Sequence, residues 1–372
     1  MDSYLSTKLR ILSLFSIILV VFLHAYNLEN GLVLSSTILG EPMDPNNYLQ
    51  YFVSNGITRI AVPYFSLISG FLFFRSFRLS PAGYWSKLKK RFHSLLAPYF
   101  IWCTLGILFL FLIQQNEFLY QSLQYAHLGG NSKRLVTEYR FYDYYRRYFI
   151  RPVPFQLWFV KDLILFAVAS PVIYALVKWL PVLFFGFLGY MWLEEMDYFL
   201  NTECLLFFSI GCLAAVRPVP ARWARKDLAV PALVTWLFLV AVKTLLAYHM
   251  RTFGMKTYML LIALHKLSIL AGMYAVWVGY DRWVKASAAG RLWRLTFYTF
   301  FIFVFHEPMS HLFTGITFML AGRGAVIQLT AYLLIPTLTI LICVGVAELL
   351  RLWAPAAYYL LTGGRGNKEK SE

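Results

Sequence analysis

Charge is scarce in this chain. Only 14% of its 372 residues are Asp, Glu, Lys or Arg, against about a quarter in soluble domains. That scarcity, with 59% hydrophobic residues, excludes an ordinary water-soluble enzyme. Acidic residues are rarer still, 18 against 34 basic ones, for a net charge of +16. A soluble protein so basic would suggest nucleic acid. Here Lys and Arg fall mostly in short loops between apolar runs, so membrane orientation explains them and no nucleic-acid partner is expected. Cysteine is nearly absent. Cys103, Cys204, Cys212 and Cys343 lie in or beside apolar runs, without a CxxC pair or a metal-ligand spacing. They read as small packing residues, and no metal site is expected. The N-terminus lacks a clear small-x-small cleavage site, so its apolar run reads as an uncleaved first helix. No internal repeat is visible, and no soluble domain fits between the apolar runs.

What is present is a series of ten apolar segments, at about 10–28, 52–74, 95–113, 157–177, 180–193, 199–216, 228–248, 258–280, 295–313 and 325–350. The expected fold is all-α: a polytopic transmembrane helical bundle of about ten spans. The integral-membrane domain covers 1–355, and 356–372 is a short basic cytoplasmic tail. The fifth segment is short and starts at Pro181, so a re-entrant or broken element is the alternative there. Basic loops at 75–91, 217–226 and 282–294, with Lys8 and Arg10 at one end and Arg351, Arg365, Lys368 and Lys370 at the other, fall on one side. Glu29, Glu41, Asp44, Glu194, Glu195 and Asp197 fall on the other. Both termini are therefore expected in the cytoplasm. The loop 114–155 breaks the rule, being placed outside while carrying Lys133, Arg134, Arg140, Arg146, Arg147 and Arg151.

This topology gives each intramembrane polar residue a depth. His24 lies about 21 Å along the helix axis from Arg10, at about 1.5 Å per residue. Arg59, Lys161, Asp162, Glu203, His306 and Glu307 fall in the same outer slab. Ionisable groups inside a membrane face the bundle interior, pair with one another and mark substrate paths. Three of them have a structural alternative. His24 can be a helix–helix hydrogen-bond partner, Glu203 can cap or snorkel, and Arg59 can anchor a helix kinked at Pro63. Their shared depth is the stronger signal. The loop RSFRLSPAGYWSKLKKRFHSLLAPY is the densest basic stretch. It suits anionic lipid or the phosphates of a cytosolic cofactor, with Arg75, Arg78, Lys89, Lys90 and Arg91 as the candidates. In the outer loop, TEYRFYDYYRRYFIRP interleaves aromatics with arginines. It suits an interfacial helix, or acceptor binding through ring faces with Arg146 and Arg147 on its anionic groups.

The whole chain resembles the integral-membrane acyltransferase-3 family, whose members O-acylate cell-surface glycans and related acceptors. The resemblance rests on RILSLFSIILVVFLHAYN, ITRIAVPYFSLISGFLFF, KLKKRFHSLLAPYFIW, FQLWFVKDLILFAVASPVIY, TECLLFFSIGCLAA and FYTFFIFVFHEP, in that order. It implies a cytosolic acyl-CoA donor, commonly acetyl-CoA, and an acceptor met from the outer side. The family's first-helix histidine corresponds to His24. Two departures stand out. Ser13, not an arginine, lies near the usual spacing before the histidine, and His93 and Leu95 stand where more basic residues are usual.

The expected enzyme is thus an acyl-CoA-dependent O-acyltransferase of the plasma membrane. His24, Asp162, Glu203 and His306 are its catalytic candidates. Arg59, Trp158, Lys161, Glu307, Arg146 and Arg147 are the candidates for binding substrate. Its expected partners are the lipid bilayer and a glycan or lipid-linked glycan acceptor, with a homo-oligomer left open. A transporter or flippase for a lipid-linked saccharide is the alternative.

Overall fold

The computed structural model describes residues 3–28, 44–77, 79–126, 134–197, 199–217, 225–249 and 255–365. Among them every regular element is a helix. In chain order these are α1 (Ser3–His24), α2 (Pro45–Gln50), α3 (Ala61–Phe74), α4 (Pro81–Arg91), α5 (Ala97–Gln114) and α6 (Glu117–Tyr125). There follow α7 (Phe141–Tyr145), α8 (Trp158–Val168), α9 (Ser170–Trp179), α10 (Pro181–Leu193), α11 (Thr202–Val216) and α12 (Ala229–His249). The last five are α13 (Met255–Trp283), α14 (Ala286–Leu295), α15 (Thr299–Ala321), α16 (Ala325–Trp353) and α17 (Pro355–Thr362). All ten apolar segments lie on helices. Among the described residues six stretches are long and apolar enough to cross a membrane: Ser3–His24, Pro45–Phe74, Pro81–Gln114, Lys226–Tyr248, Tyr258–Trp283 and Ala325–Trp353. A seventh counts if the bent pair Phe155–Val168 and Ser170–Trp179 is one span.

Prolines and a glycine explain where the helices depart from unbroken spans. The second segment holds a π-helical turn, Tyr51–Gly56, and a 3-10 turn, Ile57–Ile60, before α3. Gly56 leaves the helical region at φ −112, ψ −80. Pro63 offers no N–H to the carbonyl of Arg59 and crowds it. The fourth segment, expected as one run, breaks at Ala169, because Pro171 deprives Ala167 of its partner in the same way. The expected weak point, α10, is one unbroken helix of 13 residues. At about 20 Å it is short for a hydrocarbon core of about 30 Å. Glu307 inside α15 is extended, φ −111, ψ 138. A residue before proline is pushed out of the α region, and Pro308 follows. The first helix stops at His24, four residues earlier than expected.

The chain forms two compact units. The first comprises Met1–Tyr26, Leu32–Tyr84 and Phe166–Thr296. Within it α3 and α11 cross backbone to backbone. A Cβ on Gly70 would meet Phe208 O, and one on Gly211 would meet Leu67 O. Small residues permit such approach where apolar burial cannot drive helices together in lipid. Lys8, expected as a loop charge, is instead buried on α1. Its ammonium pairs with Asp281 at 2.7 Å and lies 3.5 Å from the Trp277 ring centroid. Cys204 and Cys212 are free and buried, as are Cys103 and Cys343 of the other unit. That second unit comprises Asn27–Gly31, Trp85–Leu165 and Phe297–Glu372. In it α6 lies on α15, where a Cβ at Gly315 would meet Ser122 O. Ile107, Leu110, Ile113, Leu123, Val136 and Leu312 form its apolar core.

Candidate active site

The first unit gathers ionisable groups around the irregular turns Tyr51–Ile60. His24 is the last residue of α1 and is half-buried. Ser54 Oγ donates to Phe22 O at 3.0 Å and ties these turns to that end of α1. Arg59 lies on the 3-10 turn. The charged side chains that act on it are Glu203 and Glu195. Glu203 opens α11, where Asn201 caps the helix by accepting from Cys204 N, and it accepts from Trp192 Nε1 at 2.8 Å. Two further helices join with residues the sequence reading passed over. Lys243 of α12 donates to Asn55 O at 2.6 Å and lies 2.9 Å from His265 Nδ1 of α13. Lys266 pairs with Glu195 at 3.4 Å. The signal was present: a lysine in LFLVAVKTLL and a His–Lys pair in LLIALHKLSIL are ionisable residues inside apolar runs.

The second unit holds its own cluster at the break in α15. His306 and Glu307 are 0% and 1% exposed. His306 Nδ1 lies 2.9 Å from Ile302 O. A carbonyl only accepts, so Nδ1 carries the proton and Nε2 is left as the acceptor nitrogen. His311 Nδ1 bonds Glu307 Oε2, which likewise leaves His311 Nε2 as the basic nitrogen. Glu307 Oε1 and Gln156 Oε1 are buried without a hydrogen-bond partner among the described residues. Gln156 donates to Phe303 O and Val304 O at 3.2 Å and to Glu307 O at 3.3 Å, which holds the broken turn open. Trp158, Lys161 and Asp162 lie on α8. Asp162 is buried, while Trp158 and Lys161 are half-buried. Gln156 and His311 were missed by the sequence reading. A glutamine in an apolar run gives no charge signal, whereas His311 stands at the i,i+4 spacing from Glu307 that brings side chains together on a helix.

The acyltransferase domain family matches residues 9–348. The chain belongs to the acyltransferase-3 family. It is similar to the succinoglycan biosynthesis protein ExoH of Rhizobium meliloti (strain 1021), with 27% identity over 369 residues, 98% of this chain and 94% of that protein. No solved structure matches it. Family and helices together make this a multi-pass membrane acyltransferase.

The remaining acyltransferase candidates lie on other elements. Arg75 ends α3 and is exposed. Arg78 lies outside the described residues. Lys89 and Lys90 are exposed and Arg91 is half-buried, in the last turn of α4. The aromatic loop forms α7 and a π-helical turn, Arg146–Ile150. Phe141 is 88% exposed and Tyr142 64%. Arg146 and Arg147 are half-buried, and Arg147 Nε donates to Tyr139 Oη at 3.2 Å. Asp143 accepts from Arg140 N at 2.9 Å and Arg134 at 2.8 Å. The backbone N–H first, and Arg134 after it, hold its carboxyl below the usual range. No group of three or more His, Cys, Asp or Glu among the described residues could hold a metal ion.

Proposed function

We propose that the protein moves an acyl group, acetyl by preference, from cytosolic acyl-CoA to a hydroxyl of a cell-surface glycan or its lipid-linked precursor. The observation that carries this reading is the burial of His306 and Glu307, with His311 bonded to the carboxylate, inside apolar helices of an acyltransferase-family chain. ExoH is named for succinoglycan biosynthesis, which supports a saccharide as acceptor. In this reading residues 1–355 form the membrane domain with ten spans, the 356–372 tail and both termini face the cytoplasm, and the host membrane is the plasma membrane.

The chemistry needs a base and an oxyanion site. The acceptor oxygen attacks the thioester carbonyl carbon as its proton passes to a neutral imidazole. The tetrahedral intermediate then collapses, the C–S bond breaks, and the CoA thiolate leaves and takes up a proton. His24 is the proposed base, with Glu203 to orient it. Arg59 stabilises the developing oxyanion. The Glu307–His311 pair, with His306 and Trp158, positions the acceptor and supplies a second proton-transfer centre. Mass spectrometry of surface glycans from cells with and without the protein tests the whole reading. A gain of one acyl mass is expected. Glycans of unchanged mass that nonetheless change sides of the membrane would replace it with a transporter.

Two peripheral predictions follow from the basic segments. Neutralising Lys89, Lys90 and Arg91 together to Gln should raise the apparent KM for acyl-CoA about tenfold, a loss of roughly 1.4 kcal/mol, with little change in kcat. Phosphate contacts are made in ground and transition states alike, and their loss acts on KM. A correctly inserted variant with unchanged KM would leave these charges to lipid. Replacing Arg146 and Arg147 together with Ala should weaken acceptor binding about tenfold, and added salt should weaken the wild type in the same direction. Acceptor titrations at two ionic strengths that do not separate variant from wild type would assign the loop to the lipid surface.

A further inference from the structure

Among the described residues three lysines are buried in the apolar helices of the first unit, and two have a carboxylate. Lys8 pairs with Asp281 at 2.7 Å and Lys266 with Glu195 at 3.4 Å. Lys243 has none: it is 0% exposed, and it makes no ion pair among the described residues. Its ammonium has three donors. One goes to Asn55 O at 2.6 Å and one to His265 Nδ1 at 2.9 Å, while the Tyr51 ring lies 5.6 Å away. None of these partners carries negative charge. The charged side chains that act on Lys243 are Arg59, Lys266 and Glu195, and Glu203 acts on Arg59 and Lys266 in turn, so three cations share two carboxylates. An ammonium held in apolar surroundings without a counter-charge is costly. With Lys243 charged, Nδ1 of His265 can only accept from it, and the ring proton then sits on Nε2 as a further donor. The cluster is one anion short of neutral.

We propose that Lys243 and His265 hold an anionic substituent of the acceptor, a phosphate or a carboxylate, within the first unit. This rests on the reading that the acceptor is a saccharide. The competing role is a staple. Lys243 donates to the carbonyl of Asn55 in the π-helical turn Tyr51–Gly56 and so ties α12 to it. That role uses one donor and requires no charge on the substrate.

The test is binding by the full-length protein in lipid nanodiscs, without acyl-CoA. The probes are glucuronate, glucose 1-phosphate and neutral methyl glucoside. The wild type is expected to bind at least one of the two anionic sugars about tenfold more tightly than methyl glucoside, and the tighter of the two identifies carboxylate or phosphate. Lys243→Met should abolish that preference and Lys243→Arg should retain it. His265→Leu should weaken it several-fold, whereas His265→Gln, which can both accept and donate, should keep it. The His265 pair decides the matter if Lys243→Met does not fold. Equal binding of all three sugars by the wild type overturns the proposal. So does a preference that survives both Lys243→Met and His265→Leu, since the surface charge would then be its source. Acyl transfer is measured separately with labelled acetyl-CoA. Transfer without anion preference removes this inference alone, and anion preference without transfer removes the acyltransfer reading alone.

Discussion

Replacing His24 with alanine is expected to lower turnover by about 10²–10⁴-fold, the usual worth of a positioned general base. A sugar hydroxyl is a weak nucleophile near neutrality, and an imidazole that takes its proton during attack removes most of that handicap. His24 is suited to this by its place. It closes α1, beside the irregular turns that carry Arg59, and it is half-buried, so it is open on one side. Structural damage should be small, since the truncation falls at the final residue of the helix. The measurement is single-turnover transfer from labelled acetyl-CoA by purified variant, with thermal unfolding recorded alongside. A folded variant that keeps more than a tenth of wild-type turnover would transfer the base role to His306 or His311.

The helices were legible in the sequence, and their breaks were not. Runs of apolar residues mark where the helices lie, because lipid demands that each crossing satisfy its own backbone. Among the described residues six or seven of these stretches are long enough to cross. Pro63, Pro171 and Pro308 were equally visible. A proline in an apolar run, however, either kinks a helix or is absorbed by it, and neighbouring helices decide which. Pro336 lies inside α16 without ending it, whereas Pro308 leaves Glu307 extended. The candidate site divides in the same way. Charge inside an apolar run identified His24, Arg59, Glu203, His306 and Glu307. The same rule applied evenly would have added Lys243, His265 and Lys266. Gln156 carries no charge, and its value comes from three carbonyls opened by the break at Glu307. Lys8 misled for a related reason: its counter-charge, Asp281, stands 273 residues away in the chain.

That same break supports the second large effect. Glu307→Gln should reduce turnover by about 10²-fold while leaving the protein folded, because the amide keeps the carboxylate's volume and removes only its charge. Glu307 Oε2 accepts from His311 Nδ1, which fixes the ring and leaves Nε2 as the base. When that nitrogen takes a proton, the buried carboxylate stabilises the imidazolium, as the Asp of a catalytic triad does for its histidine. A glutamine amide supplies no such charge. His311→Ala removes the other half of the pair and should cost about as much. The decisive measurement is the double variant. Residues that act as a unit lose their effect once, so Glu307→Gln with His311→Ala should be about as slow as either alone. If the two losses multiply instead, the residues work independently and the pairing has no mechanistic role. If neither change slows transfer in folded protein, the break in α15 is architecture and the proton passes through His24 alone.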